Sequence, residues 1–157
     1  MNLITFDDVI KNPKEYVFDI HNHEFQDVAD GSNTFRNIQS RDNYDEFARY
    51  VTELFSDFRV NFNFIRKSPL NQVEPNFIHT DEMMGDITCI LYLNEDAPEN
   101  DGTTIYDENN NSLITIHSKF NRMIAFDSDA PHSRNILENF GQDKSARLVQ
   151  VIFLKAK

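Results

Sequence analysis

Apolar residues fall at helical spacing in the first third of the chain and at strand spacing over most of the rest. In "SRDNYDEFARYVTELFSDF", Tyr44, Phe47, Ala48, Val51, Leu54, Phe55 and Phe58 form one stripe, which predicts a helix starting near Asp42 and packing that face into a core. Upstream, "KNPKEYVFDIHNHEF" predicts a further helix, with Asn12 as its N-cap and Pro13 in the first turn, where a missing N–H costs nothing. From Arg59 the period shortens. "VNFNFI", "DITCILYL", "TTIYD", "SLITIHS", "RMIAFD", "SRNIL" and "ARLVQVIFL" are short and rich in β-branched and aromatic residues, and turn signals such as "NEDAPENDG" and "ENNNS" separate them. Helices followed by such a series predict a mainly β fold with N-terminal helices (α+β), a β-sandwich or jelly roll with two supporting helices against one sheet. Nothing along the chain reads as a linker, so one domain is expected over 1–157, with 1–58 as helical support and 59–157 as the jelly-roll core.

Charge narrows the partners. Across 157 residues the formal net charge is −11, with the acids spread along the chain. Such a field repels a phosphate backbone and an anionic lipid surface, so neither nucleic acid nor a membrane is expected, and a neutral or basic peptide suits it better. No apolar run reaches membrane-spanning length. "MNLITFDDVI" carries acids where a leader would carry lysines. The single cysteine, Cys89, sits in an apolar run and reads as a small buried hydrophobe, which points to the cytoplasm, including a host cytoplasm if the protein is phage-encoded. Oligomeric state is not legible.

The chemistry gathers at the ends of the apolar runs. His79 and Asp81, in "HTDEMMGDITCILYLN", stand two apart, so on extended backbone an imidazole and a carboxylate share a face. His132, in "FDSDAPHSRNIL", opens another strand. Two histidines and one carboxylate on one face of an ion, with the remaining positions open, are the ligand set of non-haem Fe(II) oxygenases. The plain alternatives are a solvated turn at 79–81 and a capped strand end after Pro131. Arg147 begins the otherwise apolar last strand and needs a partner there, either a ligand carboxylate or a surface acid such as Glu138 or Asp143. Tyr92 in "ILYLN" could add a phenol to the same carboxylate. Arg134, two after His132, shares its face and is a candidate substrate contact. The histidines of "HNHE" lie at a predicted helix end, where i and i+2 do not face one way, and read as surface residues. His117 reads as an edge or core histidine and the spare ligand.

The order H-x-D, Y-L-N, G-x-T, a distal histidine and an arginine on the last strand, over residues 59 to 155, resembles the prolyl-4-hydroxylase-like branch of the 2-oxoglutarate/Fe(II) dioxygenases, among them its small bacterial and phage members. The resemblance implies a double-stranded β-helix and places His79, Asp81 and His132 on iron, Arg147 on the distal carboxylate of 2-oxoglutarate, and Tyr92 as that carboxylate's second donor. It implies Fe(II), 2-oxoglutarate and O₂ as cofactor and cosubstrates, hydroxylation with release of succinate and CO₂, and a peptidyl substrate (prolyl or similar) ahead of a small molecule. The chain departs from the family's habit at three places. "NFIRKSPLNQVEPNFI" stands where a tyrosine and a glycine-rich turn are common, a lone Gly102 follows Asp101 instead of a double glycine, and the interval from His132 to Arg147 is long. The rival reading is a non-catalytic metal- or ligand-binding jelly roll, structural or regulatory; a cupin-type isomerase would want more histidines. Arg147 separates these readings, since an oxygenase needs it inside the barrel.

Overall fold

A computed structural model of the chain describes residues 2–135 and 138–157. Strand β1 (Leu3–Phe6) precedes helix α1 (Pro13–His21), the hairpin β2 (Gln26–Asp30) and β3 (Asn33–Ser40), and helix α2 (Glu46–Leu54). Then come β4 (Phe58–Ser68), β5 (Ile87–Tyr92), β6 (Gly102–Tyr106), β7 (Ser112–His117), β8 (Arg122–Asp127), β9 (His132–Arg134) and β10 (Arg147–Ala156). Two antiparallel sheets result, one of seven strands in the order β1-β8-β5-β10-β4-β3-β2 and one of three in the order β7-β6-β9. The fold is a double-stranded β-helix, as expected. Among the described residues no helix is long and apolar enough to cross a membrane.

The large sheet has a core on each face, and strand alternation builds both. Along β10, Leu148, Ile152 and Leu154 join Cys89, Leu91, Met123 and Ala125 on one face, where Ile20, Phe47, Ala48 and Val51 of the helices cover them. Val149 points the other way, with Tyr92, Ile105, Ile116, Ile124, Phe126 and Ala130, into the space between the sheets. Burial raises the pKa of the Cys89 thiol well above its ordinary value, so it stays protonated on the helix side.

Helix α2 begins later than the stripe predicted. Its N-cap is Asp45, whose side chain accepts from the Ala48 N–H at 2.8 Å, while Asp42 instead closes a turn with the Tyr44 N–H. Tyr44 therefore lies ahead of the helix and is 84 % exposed, outside the packed face. Asp45 does more than cap: its carboxylate also takes Arg41 at 3.1 Å and the Gln150 amide at 2.9 Å, tying α2 to the middle of β10. Residues 1–58 are not helical support alone, since β1, β2 and β3 extend the large sheet at both edges. The end of the predicted strand "SRNIL" at Ile136 and Leu137 lies outside the described residues. Gly102 sits at φ 144°, where a Cβ would overlap the Ile116 carbonyl oxygen across the β6–β7 pair, so only glycine fits.

Phe47 is fully buried at the centre of the helix–sheet layer. Phe47→Ala should therefore cost about 3–5 kcal/mol by cavity formation, read as a lower urea midpoint at unchanged slope.

Candidate active site

Two backbone hydrogen bonds bring the histidines together. His79 N–H donates to the His132 carbonyl at 3.0 Å and His132 N–H returns to the His79 carbonyl at 2.9 Å, an antiparallel bridge just outside the regular strands. Asp81 N–H donates to the Ser128 carbonyl at 2.8 Å, holding the next inward position of the same segment. Alternation then sends His79, Asp81 and His132 to one place. One ligand atom from each lies within 4.8 Å of the others, a grouping that could hold a metal ion. His132 Nε2 is 2.9 Å from Asp81 Oδ2, and His79 Nε2 is 3.6 Å from Asp81 Oδ1.

The ring orientations are set from behind. His79 Nδ1 lies 2.9 Å from the Phe77 carbonyl and His132 Nδ1 lies 2.9 Å from the Ala130 carbonyl. A carbonyl only accepts, so each Nδ1 carries the proton and each Nε2 is left to face Asp81. Phe126 packs edge-on against His132 at 4.8 Å, and Phe77 flanks His79 at 5.3 Å. Two outer imidazole nitrogens, each with its rear hydrogen bond made, and a carboxylate suit a divalent first-row metal. Of the other histidines, His117 is exposed and its Nδ1 meets the Glu99 carbonyl at 3.0 Å, so it sits at the surface of an edge strand. His23 is exposed and His21 half-buried at the end of α1, and neither joins the group.

Arg147 is 5 % exposed and shares its face of β10 with Val149, which puts it between the sheets. Its partner is neither Glu138 nor Asp143 but Asp101, equally buried, which accepts from Nε at 3.0 Å; Asp143 instead lies 3.9 Å from Lys67. Tyr92 is buried in the interior cluster, and its hydroxyl pairs with Thr103 at 2.7 Å. Burial pushes the phenol up to about 12, against the opposing pull of the Thr103 hydrogen bond and of Arg147, so it stays protonated and able to donate.

Two further arginines complete the surroundings. Arg134 follows His132 on β9, and Arg66 lies near the end of β4. Glu74, from the irregular segment 69–78, stands between them, 3.7 Å from Arg134 Nη1 and 4.0 Å from Arg66 Nε, and is itself gripped by the Asn139 amide at 2.7 Å. Burial, followed by the charge of Arg147, lowers Arg134 to about 10. Burial likewise lowers Arg66, with Glu74 opposing it. Sequence reasoning missed Arg66, Glu74 and Asp101. Arg66 carried a signal, a guanidinium inside an apolar strand, of the same kind that drew attention to Arg147. Glu74 and Asp101 sit in loops among many other acids, and nothing local distinguishes them.

A family model described as the 2OG-Fe(II) oxygenase superfamily matches residues 70–155. A comparison with curated protein sequences gives no match. Among solved structures, the chain is similar to a prolyl hydroxylase from Trichoplax adhaerens in complex with a hypoxia-inducible-factor oxygen-degradation-domain peptide fragment (TM-score 0.71, 13% identity, 98% of this chain and 83% of that one). It is also similar to a Pseudomonas putida prolyl-4-hydroxylase (TM-score 0.66, 14% identity, 96% and 91%). A third is the non-heme alpha-ketoglutarate-dependent epimerase SnoN from nogalamycin biosynthesis (TM-score 0.69, 12% identity, 98% and 77%). At these identities the likeness is one of fold.

Removing one member of the buried Asp101–Arg147 pair strands the other charge. Arg147→Met should cost about 3–5 kcal/mol in chemical unfolding, and adding Asp101→Asn to it should recover a large part of that loss.

Proposed function

The chain belongs to the 2OG-Fe(II) oxygenase superfamily, and from that premise we propose that it hydroxylates a peptidyl residue, prolyl or similar, with His79, Asp81 and His132 as the iron ligands. The family works with Fe(II), 2-oxoglutarate and O₂. The observation that carries the ligand assignment is the convergence of two Nε2 atoms on one carboxylate while both Nδ1 atoms are tied to carbonyls. Bound iron with its cosubstrate supplies the oxidation: one oxygen atom of O₂ goes into succinate as 2-oxoglutarate loses CO₂, and the other replaces hydrogen by hydroxyl on the substrate carbon.

The chain's own residues position and enclose. The fixed imidazoles present neutral nitrogens to the metal, and Asp81 lowers the site's positive charge by one. Arg147 and the protonated Tyr92 lie in the barrel interior, where the distal carboxylate of 2-oxoglutarate is to be held, and Ile105, Ile124 and Val149 keep that end apolar. A polypeptide substrate is supported by the rim. Val73 and Met83 are each 93% exposed and Phe77 is 61% exposed, on the segments running into and out of the His79–Asp81 pair. Large apolar side chains standing in water beside a catalytic group suit contact with an extended chain better than the burial of a small solute. The buried position of Arg147 is what the oxygenase reading requires, whereas a solvent-facing arginine would have favoured the rival reading of a non-catalytic jelly roll.

Anaerobic titration of the metal-free protein should show one equivalent of Fe(II) bound and, on adding 2-oxoglutarate, a weak visible charge-transfer band that saturates at one equivalent. Asp81→Ala should lose the band and 2-oxoglutarate turnover while keeping its fold by circular dichroism. A fully active Asp81→Ala protein would sink the ligand assignment.

A further inference from the structure

Arg134 is a charged group whose best hydrogen-bonding edge is unused. It lies two residues after His132 on β9, on the same inward face. Among the described residues, its Nε and Nη2 are buried and have no hydrogen-bond partner. Glu74 approaches Nη1 at 3.7 Å, beyond hydrogen-bonding distance, and that carboxylate is bonded by the Asn139 amide. Nε and Nη2 are the two donors that point in parallel along one side of a guanidinium, so together they match the two oxygens of a carboxylate. Leaving such a fork buried and empty is costly unless a ligand fills it.

Arg147, by contrast, has its side-on edge occupied. Its Nε is taken by Asp101 at 3.0 Å, so only its terminal amino groups remain for another anion. Asp101 also brings a negative charge into the region where a dicarboxylate must bind. Arg134 and Arg66, which flank Glu74, offset it. Two residues along a strand span about 7 Å, the scale of a five-carbon diacid anchored at one end beside His132.

We propose that Arg134 is an anchor for the distal carboxylate of 2-oxoglutarate, gripping it side-on through Nε and Nη2, with Arg147, tied to Asp101, as the second and weaker contact. This rests on the oxygenase reading above. It makes cosubstrate recognition in this chain a property of the strand that carries the distal histidine, and not of the last strand alone.

The test compares two keto acids that chelate iron alike but differ at the far end. Dissociation constants for 2-oxoglutarate and for pyruvate, which lacks the distal carboxylate, are read anaerobically from the charge-transfer band of the Fe(II)-loaded wild type, Arg134→Gln and Arg134→Lys. Arg134→Gln should weaken 2-oxoglutarate on the order of ten- to a hundredfold and leave pyruvate unchanged, the loss of a charge-assisted pair of hydrogen bonds. Arg134→Lys, which keeps the charge but not the fork, should fall between. Unchanged 2-oxoglutarate binding in Arg134→Gln would overturn the assignment and free Arg134 for the primary substrate. Equal weakening of both keto acids would also overturn it, as general damage to the site. A wild type that binds Fe(II) but gives no band with either keto acid would instead remove the oxygenase reading on which the proposal stands.

Discussion

The pair of backbone hydrogen bonds between His79 and His132 is the constraint on which the site depends. It joins the end of an irregular segment to the first residue of the shortest strand, at the mouth of the barrel. Once those two residues face each other, alternation fixes the rest: Asp81 falls on the same side two residues on, and Arg134 two residues beyond His132. The side chains add orientation through their own carbonyl partners, Phe77 and Ala130. The ligand set therefore costs little to assemble, because its entropy has been spent in folding the sheet.

Around this frame an acidic protein keeps a local store of positive charge. The charge of Arg147 adds to burial in lowering Arg66 and Arg134, with Glu74 and Asp101 as internal counter-charges. With a net charge of −11 on the chain, an anionic ligand gains little from general steering and depends on specific contacts. The Asp101–Arg147 pair is the part of this arrangement furthest from solvent, and its worth lies less in net stability than in holding one guanidinium in one pose.

Much of this was legible in the chain because it is periodic. The strands β4 to β8 and β10 show as apolar runs, and His79, Asp81 and His132 stand at their ends, where ligands can face a barrel mouth. What was missed had no period to show it. The hairpin strand β2 is exposed along its whole length, so "QDVAD" carries no apolar alternation. Asp42 and Asp45 both satisfy the rules for an N-cap, and it is Asp45 that also meets Arg41 and, on β10, Gln150, a partner that a local reading does not supply. The partner of Arg147 lies 46 residues away in a loop, a pairing created by closing the second sheet over the first, whereas local reasoning could offer only acids near in sequence. Long-range pairing of charges is what tertiary structure adds.

The division of the core into two layers has a further consequence for an enzyme that handles O₂. Cys89 lies on the helix-side face of the large sheet, while Phe126, which packs against His132, lies on its other side. The sheet is thus a barrier between the chain's one thiol and its oxidant, and with the thiol held protonated there is little thiolate to attack. Met83 enjoys no such shelter: it stands almost fully in water two residues beyond Asp81. An exposed thioether is open to oxidants that a buried thiol never meets, and its sulfoxide, unlike the higher oxides of cysteine, can be reduced back.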